Sequence, residues 1–146
     1  MSAKAIRYWV SLVMIGGLGF YAAYWLAVDL TFRLSGQGAD IFGVDIALAI
    51  EQQGALQTLA FYSGSLLVIA AFVMLVFRLR QAVWVYAAAF PPIVTDWALM
   101  TDLTAFQDFL IGYPVMICYL LAFTPLYAMW RLGDFRPVTA EIENAE

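Results

Sequence analysis

The chain has 146 residues, of which 64% are hydrophobic and only 12% are charged, and its formal net charge is −4. Soluble domains are about 45–50% apolar and about 25% charged, so this composition is that of a membrane protein. Without histidine the chain lacks the imidazole ligand of haem and the commonest zinc ligand. Its single cysteine, Cys118, excludes an internal disulfide. The acidic balance does not indicate nucleic-acid binding, and we expect no cofactor.

Four apolar segments follow one another along the chain, at about residues 8–30, 56–77, 82–100 and 108–130. Each has roughly the 20 residues that an α-helix needs to cross a hydrocarbon core ~30 Å thick. Lipid offers the backbone no hydrogen-bond partners, so the segments must be helical. The sequence therefore predicts an all-α integral membrane four-helix bundle, one domain over residues 1–131, followed by a flexible acidic tail at 132–146.

Basic residues are sorted to one side of these segments. They precede segment one, join segments two and three, and follow segment four: Lys4, Arg7, Arg78, Arg80, Arg131 and Arg136. Under the positive-inside rule this side is cytoplasmic, which predicts that both termini lie in the cytoplasm. The basic start resembles a signal peptide, but the apolar run exceeds an h-region of about 7–15 residues. An uncleaved helix in a bacterial inner membrane is the favoured interpretation.

The first outer loop contains a short amphipathic pattern. Between residues 40 and 54, Ile41, Val44 and Leu48 fall near helical spacing, with Asp45 and Glu51 interleaved. This predicts a short helix that lies at the outer interface, or a water-exposed extension of segment two. Gly54 is the expected break.

Prolines interrupt the second half of the chain, with Pro91 and Pro92 in segment three and Pro114 and Pro125 in segment four. Each removes a backbone donor and tends to kink a helix. Such bends can open a cavity within a bundle. Because proline is common in membrane helices, a purely architectural role is the alternative.

Asp96 is a candidate ligand-binding acid near the outer end of segment three, beside Thr95. Carboxylates within membrane helices usually face the bundle interior or a wet cavity. The functional interpretation is a site for a cation, a proton or an amine. The alternative is that Asp96 reaches the outer water or pairs with Arg33.

Asp29 is the second candidate acid. Tyr21, Trp25 and Asp29 recur every four residues and share one face of segment one, and Tyr62 is expected at a similar depth in segment two. Together with Asp96 they predict an outer-half pocket for a lipophilic or cationic small ligand. The alternative for the aromatic residues is an interfacial belt or core packing. No catalytic motif is present, so we expect a non-enzymatic protein.

Segment one carries Gly19, Ala23 and Ala27 at four-residue spacing. Small residues on one face allow another helix to approach closely. The partner is segment two or four of the same chain, or a second protomer. A homodimer, or service as a non-catalytic accessory subunit of a larger membrane complex, is therefore the alternative to ligand binding.

The four-helix plan resembles the EXPERA family, which includes the sigma-2 receptor and sterol isomerases. The resemblance rests on Val28-Asp29-Leu30, on Pro91-Pro92, and on Tyr113-Pro114, Tyr119-Leu120-Leu121 and Pro125. It implies cytoplasmic termini, a cavity for sterols or amphiphilic amines, and a role for Asp29 in anchoring a ligand amine. Two features depart from the family. Tyr62-Ser63-Gly64 occupies the place of its acid in helix two, and the chain has no histidine for isomerase chemistry.

Overall fold

A computed structural model describes residues 2–36, 40–41, 44–101 and 112–135. It confirms the all-α four-helix bundle. The elements in chain order are α1 (Ala3–Ser35), β1 (Asp40–Ile41), β2 (Val44–Asp45), α2 (Ile46–Gln52), α3 (Ala55–Val76), α4 (Ala82–Ala88), α5 (Phe90–Met100) and α6 (Gly112–Leu132).

Four stretches of the described chain are long and apolar enough to cross a membrane: α1, α3, α4 together with α5, and α6. The chain is thus built as an integral membrane protein. The second and third spans end within one residue of the predicted limits. The predicted start of the fourth span, at 108–111, lies outside the described residues.

Helix α1 is longer than predicted because both of its ends are capped. The Ser2 side chain accepts a hydrogen bond from Ala5 N at 3.2 Å, and Gly36 closes the helix with a φ of 67°. Its 33 residues span about 50 Å at 1.5 Å per residue. That exceeds the ~30 Å hydrocarbon core, so α1 extends beyond the apolar layer.

The third span is divided at Ala89 into α4 and α5. Pro91 and Pro92 have no N–H to donate to the carbonyls of Ala87 and Ala88, so the regular ladder stops there. Ile93 N resumes it by donating to Ala89 O at 3.1 Å. Pro125, in contrast, lies inside an unbroken α6.

Close helix packing in the bundle depends on glycines. Gly16 and Gly19 of α1 face the Phe72 ring of α3. Ala22, one turn further along α1, is also buried, whereas Ala23 and Ala27 are exposed. The small-residue face used inside the bundle is therefore formed by Gly16, Gly19 and Ala22. Of the three residues predicted to share that face, only Gly19 lies in it.

The half of the bundle where α1 begins and α6 ends is solidly packed. Six of its apolar side chains have no exposed surface: Ile15, Val68, Leu75, Val83, Leu126 and Met129. Tyr86 is also buried there, and its hydroxyl donates to the carbonyl of Tyr119 at 2.9 Å. This half leaves little room for a ligand.

An ion pair joins the two chain ends at that side of the bundle. Gly133, with a φ of 72°, turns the chain after α6, and the Asp134 carboxylate accepts from Arg7 Nε at 2.7 Å. Asp134 and Phe135, which the sequence assigned to a flexible tail, are buried. The bundle therefore extends at least to Phe135. Residues 136–146 lie outside the description.

The opposite end of the bundle carries the predicted short helix, which begins at Ile46. Strands β1 and β2 pair antiparallel, and the Asp45 side chain caps α2 by accepting from Leu48 N at 3.0 Å. One face of α2 packs on the end of α1. This contact forms a small apolar cluster separate from the main core: Ile46, Ala49 and Ile50 against Trp25, Val28, Phe32 and Ile41.

Candidate functional site

Asp29 is buried at the end of α1 that faces α2, with only 4% of its surface exposed. Its Oδ2 accepts from Arg33 Nε at 2.8 Å and also from the Tyr62 hydroxyl of α3. Arg33 Nη2 in turn donates to Gln53 Oε1 at 3.2 Å. The spacing of four residues places Arg33 one helical turn beyond Asp29. A single carboxylate oxygen thus links α1 to α3, and Arg33 links both to the loop after α2.

The other carboxylate oxygen of Asp29, Oδ1, has no hydrogen-bond donor of this kind in the described chain. Oδ1 is buried and accepts no hydrogen bond from any described residue. Asp29 and Gln53 line a cavity of about 40 Å³ beneath α2. Its remaining walls are apolar: Trp25, Val28, Ile46, Ala49 and Ile50. We call this the Asp29 cavity.

Asp96 lies in the wall of a different cavity, of about 90 Å³, between α1, α3, α5 and α6. We call it the Asp96 cavity. Five aromatic side chains line it: Tyr21, Trp25, Phe61, Trp97 and Tyr119. Ala22, Ala60, Ile93 and Met100 also line it, and Asp96 is the only charged residue among the described lining residues.

No ion pair joins Asp96 to a cation in the part of the chain that the structure describes, because Arg33 pairs with Asp29 instead. The structure therefore does not contain the ion pair between Asp96 and Arg33 that the sequence offered as an alternative. Gln57, which is 3% exposed, interacts with the Asp96 carboxylate. Even so, Gln57 Nε2 makes no hydrogen bond of ordinary geometry to a described residue. Asp96 thus has a polar neighbour but no neutralising charge.

Trp25 lines both cavities. Its ring packs edge-on against Tyr21, at 6.2 Å between centroids, and against Tyr24 at 5.5 Å. Asp29 and Asp96 accordingly line two neighbouring cavities that have Trp25 in common, rather than the single pocket expected from the sequence. Tyr21 belongs to the Asp96 cavity, and Tyr62 reaches Asp29.

Thr95, the remaining candidate, donates its hydroxyl to Pro91 O at 2.9 Å and is not a lining residue of the Asp96 cavity. Sequence reasoning missed Gln53 and Gln57. Gln57 could have been noticed as an amide side chain at the start of an apolar helix. Its position next to Asp96, however, depends on the packing of α3 against α5, which the sequence does not reveal. The Asp29–Arg33 spacing was also visible in the sequence.

Within the described ranges, no cluster of three or more acidic or thiol side chains is arranged to hold a metal ion. No protein-family model matches the chain, and neither the curated proteins nor the solved structures include a significant match.

Proposed function

We propose that this membrane protein binds a small lipophilic cation, an organic amine, in the Asp96 cavity. The observation that supports this is a partly buried carboxylate with no cationic partner among the described residues, set in an aromatic wall. An isolated charge in a low-dielectric site is costly unless it is paired. A cationic ligand would supply the missing partner.

The aromatic wall suits the same ligand. Trp25 and Trp97, with Tyr21 and Tyr119, line the same cavity as the carboxylate. A cation over an aromatic face gains about 0.5–2 kcal/mol, and the gain is largest where water is excluded. The 90 Å³ of the cavity accommodates an ammonium group with a few attached carbons. The apolar part of a larger amine would extend between the helices.

Binding is favoured over transport because the bundle is hollow in one half and closed in the other. Beyond the Asp96 cavity, side chains such as Val68, Leu75 and Met129 have no exposed surface. A transported ion would need this region to open. A receptor-like binding protein needs only the hollow half.

Calorimetric titration of the purified protein in detergent tests the proposal. With 4-phenylbutylamine we expect saturable binding, whereas its uncharged isostere 4-phenylbutanol should bind the Asp96 cavity at least tenfold more weakly. Asp96→Asn should lower the affinity for the amine at least tenfold, equivalent to about 1.4 kcal/mol.

The matched control is Asp45→Asn. It removes the same charge at the exposed start of α2, where asparagine remains a good helix cap, so the amine affinity should not change. Equal binding of the amine and the alcohol in this cavity, or unchanged affinity in the Asp96→Asn protein, would contradict the proposal.

The proposed orientation places both termini in the cytoplasm of a bacterial cell, with the protein in the inner membrane. It is supported by the arginines at the end where α1 begins: Arg7, Arg78, Arg80 and Arg131. Two of these pack on rings, with Arg78 4.3 Å from the Tyr8 centroid and Arg80 5.1 Å from that of Trp130. Under this orientation the amine enters from the outer side.

A relationship to the EXPERA family stays a prediction. The resemblance assigns the amine anchor to Asp29. We propose Asp96 as the anchor instead, because Asp29 is already paired with Arg33. Amine titration of Asp96→Asn and Asp29→Asn proteins separates the two assignments, provided that both variants retain the wild-type circular dichroism spectrum.

An accessory subunit of a larger membrane complex, or a homodimer, is the second candidate. It is supported by the exposure of Ala23 and Ala27, which are not used for packing inside the bundle. Purification in mild detergent tests it. A second chain held at constant stoichiometry supports this candidate, and a monomer of unchanged mass at high concentration contradicts it.

A further inference from the structure

The two oxygens of Asp29 have different surroundings. Oδ2 accepts from Arg33 and Tyr62, whereas Oδ1 is buried without a donor in the described chain. An ionised carboxylate has about four lone-pair positions. Half of the acceptor capacity of Asp29 is therefore left for a group that the described residues do not provide.

The unsatisfied oxygen belongs to a residue that lines the Asp29 cavity, although Oδ1 itself has almost no accessible surface. Asp29 lines that cavity, but Arg33 and Tyr62, the two partners of Oδ2, are not among its walls. Gln53 lines it as well and carries amide N–H donors. A group that enters the cavity thus meets an acceptor at Asp29 and a donor at Gln53.

The charge balance favours an uncharged group. Arg33 Nε lies 2.8 Å from Asp29 Oδ2, so the carboxylate already has its counter-ion. A cation would have to share the carboxylate with Arg33, and an anion would face the free oxygen. A hydroxyl group can donate to Oδ1 and accept from Gln53 without adding charge.

An apolar groove adjoins this cavity and shares Val28 and Ile46 with it. It encloses about 280 Å³ between α1 and the β1–β2 hairpin, with Tyr24, Ala27, Thr31, Phe32 and Ile41 as its other walls. Thr31 donates its hydroxyl to Ala27 O at 2.7 Å, which leaves the groove without a free donor there. The groove is thus suited to hydrocarbon.

From this arrangement we propose a second ligand site, for an uncharged long-chain alcohol. Its hydroxyl donates to Asp29 Oδ1 in the Asp29 cavity, and its alkyl chain lies in the adjoining groove. The site is distinct from the amine site, which has a different acid and no paired arginine.

Photolabelling of the full chain tests the site. The protein is placed in nanodiscs of phosphatidylcholine, which carries no hydroxyl group. It is irradiated with a diazirine-bearing hexadecanol or with the methyl ether of the same compound, and adducts are mapped by mass spectrometry. We expect at least fivefold more adduct from the alcohol than from the ether, within residues 24–32 and 41–46.

Ala27→Phe fills the groove from its exposed side and should reduce labelling by the alcohol to the level of the ether. Ala98→Phe makes the same change at an exposed position of α5 that lines neither cavity nor groove, and should label like the wild type. Equal labelling by alcohol and ether, adducts outside these residues, or full labelling of the Ala27→Phe protein would each overturn the proposal. Unchanged amine affinity of that variant shows that the two sites are separate.

Discussion

Gly64 of α3 lies directly against the backbone of Ile93 in α5. A Cβ atom on Gly64 would stand 3.0 Å from Ile93 Cγ1 and 3.3 Å from Ile93 N. Contacts of 3.0–3.4 Å are tighter than nine in ten real Cβ contacts, so a side chain at residue 64 would require Ile93 to shift by a few tenths of an ångström. Since Ile93 lines the Asp96 cavity, the same contact positions the wall that carries Asp96.

Gly64→Ala should therefore push α5 outward. We expect a loss of about 1–3 kcal/mol in the free energy of unfolding, as for other overpacked sites, and weaker amine binding. Gly17→Ala is the control, because a Cβ there meets nothing within 4 Å. Within a helix it should leave stability unchanged or raise it by up to about 1 kcal/mol. Unfolding in SDS followed by circular dichroism measures both, and equal effects would contradict the packing argument.

Arg33→Met should destabilise the protein because it leaves the Asp29 carboxylate buried without a counter-ion. Breaking a buried pair costs about 3–5 kcal/mol. Since the Arg33 side chain is 36% exposed, we expect a loss at or below the low end of that range. Adding Asp29→Leu should recover part of it, because the unpaired charge is then removed as well. A double-mutant cycle of unfolding free energies provides the measurement, and strictly additive losses would contradict the pairing.

Gly133→Ala should weaken the turn that brings Asp134 to Arg7. Gly133 has a φ of 72°, and the left-handed conformation costs a residue with a Cβ about 1–2 kcal/mol. Gly133→Asn should lose less, because asparagine tolerates this conformation. The comparison is made by unfolding free energy, and equal losses in the two variants would argue against a conformational cause.

Ser11→Ala should be neutral or stabilising. The Ser11 hydroxyl is fully buried and has no hydrogen-bond partner among the described residues. A buried unsatisfied group costs about 1–3 kcal/mol, and removing it recovers part of that cost. Ser63→Ala, in contrast, removes a hydroxyl that donates to Leu59 O at 2.7 Å, and should not stabilise. Thermal unfolding of the two variants in one detergent makes the comparison, and a clear loss of stability in Ser11→Ala would refute the prediction.

The spans were predictable because lipid imposes a length and a polarity on every helix that crosses it. The limits of α3 and the break at Pro91-Pro92 follow from apolar runs and backbone chemistry alone. The length of α1 does not follow from its apolar run. The helix continues through polar residues at both ends and stops only at its caps, Ser2 and Gly36.

The site was only partly predictable for a different reason. Four-residue spacings assign residues to one face of a helix, but they do not identify the neighbouring helix that covers that face. Gly19, Ala23 and Ala27 share a spacing, yet only Gly19 is covered, by Phe72. Likewise, Asp29 and Asp96 both lie near the outer ends of their predicted segments, yet they line different cavities, which have Trp25 in common.

If both proposed ligands bind, Trp25, which lines both cavities, would make their occupancies thermodynamically dependent on each other. A ligand that turned the Trp25 side chain in one cavity would change the shape of the other cavity. By reciprocity, whatever factor the alcohol imposes on the dissociation constant of the amine, the amine must impose on that of the alcohol. A single side chain common to the two proposed sites would thus give a small bundle a means of heterotropic cooperativity.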